Sequence, residues 1–268
     1  MINAITFDVE EWFQANSLSS KIKFSDWHYH ESRIEKNVYK ILAVLRRKET
    51  KATFFVLGWI AEKYPDIVEN IALEGHEIAS HGYRHKSISQ QSPGEFEDDL
   101  LKSMRLLRDI TGQNVIGYRA PNFSITKKSL WALRTLEKNG IRYDSSTVPM
   151  KNMQREIHTT RQGLIEFPLS TVRLLGKNIP LAACGSLRKY PYPLTKSAIG
   201  IINKKNPALV QLHSWEIDKK QPRVNIGRVN SIKHYYNLHT TIPKLKKLLN
   251  DFQFDSVRNV LFGDKEII

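Results

Sequence analysis

Two histidines four residues apart, His81 and His85, suggest the first specific chemistry in this sequence. Two imidazoles and one carboxylate are a common ligand set for a catalytic metal, with one position left open for water. Such a metal lowers the pKa of water to about 7, so that water becomes a nucleophile at neutral pH. A second carboxylate could accept the proton of that water, and a further histidine could protonate a leaving group. The combination predicts metal-assisted hydrolysis of an amide or an ester.

Other ionisable residues directly follow apolar runs that are predicted to form strands. The carboxyl ends of the strands of a parallel α/β barrel share one face, so side chains that follow different strands can meet there. A surface position would explain any one of these residues, but not their repeated place after successive strands. They are Asp8, Glu10, His81, Arg119, Asp144 and His213, and Trp215, Glu216 and Asp218 come just after the last of them.

The sequence offers no clear covalent route to the same chemistry. It contains no Gly-x-Ser-x-Gly motif, which positions the nucleophilic serine of many hydrolases. Cys184 is the only cysteine, so it has no intramolecular disulfide partner, and no catalytic motif surrounds it. We therefore expect water itself to be the nucleophile.

The elements that must position these residues alternate between strand and helix, with short connections. This order predicts an α/β fold, with a parallel sheet and helices packed outside it. We expect a single distorted (β/α) barrel of about seven parallel strands, one domain over residues 1–268, and the site at the C-terminal ends of the strands. The predicted strands are 2–7, 52–57, 77–80, 115–118, 141–143, 164–167 and 208–212, with a further one at 256–261. The predicted helices are 34–45, 65–74, 93–111, 126–139 and 242–252, and the less regular stretches are 12–30, 145–162, 168–192 and 214–238.

The net charge of +14 is concentrated in one part of the chain. Residues 151–250 contain 18 Lys and Arg against 4 Asp and Glu. No nucleic-acid-binding motif accompanies this charge, so neither a nucleic acid nor an obligate protein partner is expected. Two interpretations stay open. The stretch is a solvated face, or it attracts an anionic substrate, such as a lipid-linked glycan precursor, in peripheral contact with an anionic membrane.

The expected location is the cytoplasm. The N-terminus lacks the basic and apolar regions of a signal peptide. The longest mostly apolar stretch, 52–61, is about half the ~20 residues that a membrane-spanning helix needs.

Five motifs, in this order, resemble those of the polysaccharide deacetylases of carbohydrate esterase family 4, the NodB-homology domain. The opening Asp-Val-Glu-Glu-Trp, the segment 213–218 and the tail 234–254 resemble a subgroup that is associated with exopolysaccharide and exosortase gene clusters. The resemblance covers about residues 2–260. The motifs are TFDVE (6–10), SHGYRH (80–85), GYRAPNF (117–123), YDSSTVP (143–149) and VQLH (210–213).

The resemblance implies a role for each matching position. Asp8 would be the general base, oriented by Arg119. His81 and His85 would hold a divalent metal, with zinc as the expected ion. Asp144 would hydrogen-bond His213, which would act as the general acid toward the leaving amine. The oxyanion and substrate residues would be Asn122, through its backbone N–H, Leu212, beside the acetyl methyl, and Trp215.

Two positions depart from the family pattern. The usual metal-binding aspartate is replaced by Val9, which cannot bind a metal, so Glu10 becomes the expected carboxylate ligand and Glu11 the alternative. Gly82 stands where the family usually has Ser or Thr.

The resemblance implies removal of N-acetyl groups from amino sugars of a polysaccharide or its precursor. One alternative is hydrolysis of another C–N bond in a small molecule, such as a cyclic amide. The other is a glycan-binding relative that has lost its metal coordination, an idea motivated by Val9.

Overall fold

The fold is built around one parallel β-sheet, and the first apolar run of the chain forms a strand near its centre. The computed structural model describes residues 1–149, 153–174, 176–181, 183 and 185–263, so Cys184 lies outside the described residues. Its strands are β1 Asn3–Val9, β2 Thr53–Val56, β3 Glu77–Ser80, β4 Gly117–Tyr118, β5 Tyr143–Asp144, β6 His158–Thr159, β7 Ile165–Glu166, β8 Val172–Leu174, β9 Lys177–Ile179, β10 Leu209–His213 and β11 Phe254–Asp255.

Seven strands pair in parallel in the order β10-β1-β2-β3-β4-β5-β7. At the two ends of the order, β10 is one edge and β6 continues the sheet antiparallel to β7. β11 pairs with the start of β1, and β8 and β9 form a separate hairpin. The prediction of an α/β fold with about seven parallel strands, curled into part of a barrel, is confirmed.

Helices cover the outer face of this sheet, and the longest of those described begins and ends at clear sequence signals. Ser92 and Glu95 form the predicted capping box, and Gly112 ends the same helix in the left-handed conformation, with φ 67°. The helices are α1 Ile34–Arg46, α2 Gly58–Lys63, α3 Pro65–Leu73, α4 Pro93–Thr111, α5 Trp131–Lys138, α6 Ser186–Lys189, α7 Tyr192–Ile202, α8 Arg228–Tyr235, α9 Thr241–Asp251 and α10 Val257–Phe262.

Alternation along β1 divides its side chains between two environments. All seven residues of β1 are buried. Phe7 and Val9 belong to the large apolar core beneath the helices. Thr6 and Asp8 point to the other face, where they meet the side chain of Arg119. The inner face of the sheet is therefore polar at its carboxyl end, and this is where the site forms.

Two regions differ from the prediction. Residues 256–261 are not a strand, because the Ser256 side chain accepts a hydrogen bond from the Asn259 N–H and starts α10; the strand is β11, just before it. The stretches that looked irregular contain the β8–β9 hairpin and α8. Within the described part of the chain, no helix combines the length and the apolar character needed to cross a bilayer.

Candidate metal and catalytic site

Residues from strand ends that are far apart in the sequence line one cavity of about 320 Å³. Asp8 and His213 are register partners at the ends of β1 and β10. His81 and His85 follow β3, and Glu10 follows β1. Of the predicted site residues, Asp8, Glu10, His81, His85, Asn122, His213 and Trp215 line the cavity.

Glu10, His81 and His85 converge as a three-ligand set. One ligand atom of each lies within 4.8 Å of the others. The buried Glu10 Oε2 has no hydrogen-bond partner of good geometry among the described residues, yet it lies only 2.8 Å from His85 Nε2. A close pair of ligand atoms without a proper hydrogen bond suits a cation placed between them. The donor set, two imidazoles and a carboxylate, fits zinc or a similar divalent ion.

Their surroundings keep these groups in metal-binding form. His81 Nδ1 donates to the Arg119 carbonyl at 2.8 Å, which leaves Nε2 with its lone pair toward the cavity. Burial lowers the pKa of His81 to about 4, so the imidazole is neutral. Burial alone would raise the pKa of Glu10, but His85 and His213 hold it well below its usual range. A neutral imidazole at His81 and an ionised carboxylate at Glu10 are states that bind a metal.

Glu11, the alternative ligand, binds the start of α1 and does not face the cavity. Its Oε1 accepts hydrogen bonds from the backbone N–H groups of Arg33 and Ile34 at 2.9 and 3.2 Å, and from Ser32 Oγ at 2.5 Å. These groups lie at the start of α1, where N–H groups lack helical partners and a negative charge is favourable. Glu11 thus fixes α1, and Glu10 alone of the two faces the cavity.

Glu11→Ala is expected to lower the free energy of unfolding by about 2–3 kcal/mol, because three donors lose their acceptor. Metal content per chain is expected to stay unchanged. Urea unfolding and elemental analysis of the purified variant check both. Loss of the metal with normal stability would instead identify Glu11 as a ligand.

The departure at Gly82 has a steric cause. Its backbone φ is +72°, and a Cβ there would lie 2.8 Å from Asp99 Oδ2. Asp99 accepts hydrogen bonds from the backbone N–H groups of Tyr83 and Arg84, at 2.6 and 3.2 Å. The carboxylate therefore holds the loop between the two histidine ligands, and glycine makes room for it. Sequence reasoning missed Asp99, which lies on α4, far from the histidines in the chain.

Asp8 is fixed on both carboxylate oxygens. Arg119 lies 2.7 Å from Oδ1, and Gln211 Nε2 donates to Oδ2 at 2.7 Å. Arg119 is fully buried, stacks over Phe55 at 4.0 Å and also donates to Thr6 and Ser145. The guanidinium compensates the charge of Asp8 and fixes its orientation.

The expected hydrogen bond between Asp144 and His213 is absent, because Nδ1 of His213 pairs with Glu216 and its Nε2 faces the cavity beside Gln211 and Asp8. Nδ1 lies 2.7 Å from Glu216 Oε1, and Nε2 lies 3.1 Å from Gln211 Nε2. Glu216 Oε2 in turn accepts from the buried Arg188 at 2.7 Å. The predicted hydrogen bond between Asp144 and His213 is therefore wrong, and Glu216, three residues after the histidine, holds Nδ1 instead.

The charges around His213 favour its protonated form. Burial alone would lower its pKa, but the carboxylates of Glu10, Glu216 and Asp8 raise it to about 9. Burial alone would raise the pKa of Glu216, whereas His213 and Arg188 lower it to about 2. The contact of Glu216 with Nδ1 therefore favours a protonated His213.

Asp144 belongs to a different buried pair. It is the register partner of Glu166 on the neighbouring strand, and its Oδ1 accepts from Ser146 Oγ at 2.5 Å. Burial raises the pKa of both carboxyl groups, that of Glu166 well above its usual value. Ser146 Oγ also accepts from the Ala120 N–H at 2.8 Å, so Asp144 supports the loop after Arg119.

Leu212 does not line the cavity, contrary to the prediction. Side chains alternate along a strand, and Gln211 and His213 both point to Asp8. Leu212 therefore points the other way, into the apolar core beneath the helices.

Trp215 and Asn122 do reach the cavity. Trp215 Nε1 donates to Glu10 Oε1 at 2.7 Å, and its ring stacks on His213 and on His234, with centroid distances of 5.1 and 4.4 Å. Asn122 has a left-handed backbone with φ 58°, and so does the ligand His85 with φ 52°. Such conformations cost energy in residues other than glycine and concentrate at functional sites.

Sequence reasoning missed several residues that shape this site. Glu216 was noted only as an acidic residue after β10, although its spacing of three from His213 could have indicated a pair on one turn. Gln211 precedes that histidine by two, which places both on one face of a strand. Arg188 lies within the stretch 168–192, which was predicted to be irregular, and gave no signal.

Two family models match the chain. Residues 15–143 match the polysaccharide deacetylase model, and residues 139–262 match a domain of unknown function, DUF3473. Asp8 and Glu10 precede the first match, and His213, Glu216 and Arg188 lie in the second.

The relatives include bacterial deacetylases. A peptidoglycan-N-acetylglucosamine deacetylase of Bacillus cereus is 32% identical over 120 residues, which is 40% of this chain and 44% of that protein. A chitooligosaccharide deacetylase of Bradyrhizobium is 34% identical over 73 residues, 27% of this chain and 33% of that protein. The alignments thus span less than half the length of either relative.

Solved structures share the fold. A Mycobacterium smegmatis protein classed as a polysaccharide deacetylase has a TM-score of 0.66 at 17% identity, over 96% of this chain and 87% of that one. A family 4 carbohydrate esterase of Streptomyces lividans has a TM-score of 0.53 at 14% identity, over 95% of this chain and 89% of that one. A family 4 pseudoenzyme of Bacillus anthracis has a TM-score of 0.55 at 15% identity, over 98% of this chain and 66% of that one. Residues 15–143 of the chain thus match the polysaccharide deacetylase model, and the chain as a whole shares its fold with these structures.

Proposed function

We propose that this protein is a metal-dependent hydrolase that removes N-acetyl groups from amino sugars of a glycan or a glycan precursor. The observation that carries the proposal is the convergence of Glu10, His81 and His85 on a cavity that also contains Asp8 and His213. Hydrolysis of an amide by water needs three things that these residues would supply: ligands for a metal, a carboxylate as the base, and a histidine as the acid. The deacetylases among the relatives support the same chemistry.

Glu10, His81 and His85 would hold the metal, for which we propose zinc. The ion would supply Lewis acidity, which polarises the amide carbonyl and makes water more acidic. The hydrogen bonds of Trp215 to Glu10 and of His81 to the Arg119 carbonyl orient two of the ligands, as outer groups do in other metal sites.

Asp8 would accept the proton of the attacking water. Its carboxylate is held by Arg119 and Gln211, and its Oδ2 lies 3.8 Å from His213 Nε2. Base and acid are thus adjacent across the cavity. Arg119 acts as a positioning residue, since it contacts the carboxylate.

His213 would donate a proton to the departing amine. Its Nδ1 is fixed by Glu216, which leaves Nε2 directed to the cavity between Asp8 and Glu10. Glu216, which contacts Nδ1 directly, favours the imidazolium that this step requires. Expulsion of an amine is the step of amide hydrolysis that most needs an acid.

We further propose that residues 1–268 form one catalytic unit, because both matched regions supply the site. Residues before 139 contribute Glu10 and the two histidine ligands, and residues after 143 contribute His213 with its partner Glu216. In this arrangement the backbone N–H of Asn122 would donate to the oxyanion, and Trp215 would form a wall of the substrate pocket.

The substrate is tested by acetate release from a panel of compounds. N-acetylglucosamine oligomers and lipid-linked N-acetylated precursors are compared with cyclic amides. Acetate is expected from the N-acetylated sugars, and ring opening of the cyclic amides is not. Hydrolysis of only the cyclic amides would overturn the substrate class. Stoichiometric binding of oligomers without turnover in metal-loaded protein would indicate a glycan-binding relative instead.

A further inference from the structure

Helix α8 exposes an apolar face that the catalytic chemistry does not use. Val229, Ile232 and Tyr236 are 66%, 64% and 49% exposed. Their spacing of three and four residues places them on the same side of the helix and its C-cap. Large apolar side chains that are exposed together mark surfaces that bind a partner or a membrane. We call these three residues the α8 face.

The segment that contains the α8 face is strongly basic. From residue 219 to residue 236 the chain contains five Lys and Arg and no Asp or Glu. All five are exposed, and two of them lie on α8 itself. They are Lys219, Lys220, Arg223, Arg228 and Lys233.

The same helix forms part of the wall of the catalytic cavity. Lys233 and His234 line the cavity, and His234 stacks on Trp215 at 4.4 Å. The buried Arg188 donates to the carbonyls of Lys233 and Tyr236, at 2.8 and 2.6 Å. The guanidinium that holds Glu216 therefore also fixes the end of α8, so the α8 face has a defined position beside the cavity.

We propose that the α8 face binds the surface of a membrane that contains anionic lipids. A short helix that exposes valine, isoleucine and tyrosine within a segment rich in lysine and arginine has the chemistry of an interfacial helix. Its apolar residues enter the headgroup boundary, and its basic residues pair with lipid phosphates. Tyrosine suits this boundary because one end of its ring is apolar and the other is polar.

Charge complementarity favours an anionic lipid surface over a second copy of the chain. Another copy would bring its own five positive charges to the contact, and like charges repel. Docked on a membrane, the α8 face would place the cavity next to a lipid-attached glycan. This last consequence rests on the proposed function, whereas the binding itself does not.

The test is co-sedimentation of the whole protein with vesicles of phosphatidylcholine, alone or mixed with phosphatidylglycerol. Binding is expected only to the mixed vesicles and is expected to weaken as salt is added. Val229→Ser combined with Ile232→Ser should lower the binding constant about tenfold or more, since two apolar side chains no longer leave water. Leu73→Ser with Leu101→Ser is the matched control, because these leucines are 76% and 45% exposed on other helices. The control should bind like the wild type.

Three results would overturn the proposal: equal binding to neutral and mixed vesicles, no binding to either, or unchanged binding of the α8 variant. A dimer in light scattering that the α8 variant abolishes would assign the face to a second copy instead. Thermal unfolding of both double variants controls for folding. Acetate release from soluble oligomers should be the same in all three proteins. Loss of vesicle binding and loss of hydrolysis are therefore separate outcomes.

Discussion

Replacing Glu10 by alanine is expected to remove the metal from the protein and to lower the rate of deacetylation roughly 10³-fold or more. Glu10 is the one carboxylate in the ligand set, and its Oε2 lies 2.8 Å from His85 Nε2. Without its negative charge, two neutral imidazoles hold a divalent ion poorly. Metal content is measured by elemental analysis and the rate by acetate release.

Asp8→Asn is the matched comparison. Asparagine retains the size of the side chain but cannot accept the proton, so kcat is expected to fall about 10²- to 10⁴-fold. Metal content is expected to remain at the wild-type level, because Asp8 is held by Arg119 and Gln211 and lies outside the ligand set. The assignment is wrong if Asp8→Asn loses the metal while Glu10→Ala keeps it.

His213→Ala is expected to lower kcat about 10²- to 10⁴-fold with the metal retained, because it removes the proposed proton donor. Glu216→Gln should lower kcat about 10- to 100-fold with little change in KM, since glutamine fills the space but no longer carries the charge that favours the imidazolium. The two variants together should be little worse than His213→Ala alone, because Glu216 acts through the histidine.

Asp144→Asn separates the family expectation from the contact that the structure shows. Asp144 pairs with Glu166 and Ser146, so its replacement is expected to change stability and to leave kcat nearly unchanged. A steady-state comparison of Glu216→Gln with Asp144→Asn decides between them. A large loss of kcat in Asp144→Asn, with Glu216→Gln close to wild type, would restore the original assignment.

Helices with recognisable capping residues at both ends could be predicted from the sequence, whereas helices without such residues could not. Ser92 and Gly112 define α4 through a capping box and a left-handed stop. Helix α8 begins after Gly227 without a side-chain cap, and its apolar residues Val229 and Ile232 are exposed. Its sequence therefore lacks both a start signal and a buried apolar stripe, and it was predicted to be irregular. At the end of the chain, a single capping serine, Ser256, makes a helix of a run that looked like a strand.

The site could be predicted as far as strand ends determine it. The rule that parallel strands end on one face places Asp8, Glu10 and His213 near the two histidine ligands without any knowledge of side-chain geometry. The rule does not say which carboxylate contacts a given ring nitrogen of His213. Glu216 contacts Nδ1, and Asp144 does not, because Glu216 lies only one turn after His213 in the chain. Arg188 enters from a long irregular segment, and only the folded structure shows that it joins Glu216 to α8.

The central claim is that the ion at Glu10, His81 and His85 is required for hydrolysis of the N-acetyl group. The most direct measurement is the rate of acetate release from an N-acetylglucosamine oligomer by the wild-type protein before chelation, after chelation and dialysis, and after one equivalent of zinc is returned. The proposed function predicts that the rate is lost with the metal and is restored by one ion per chain. Unchanged acetate release from protein that elemental analysis shows to be metal-free would contradict it.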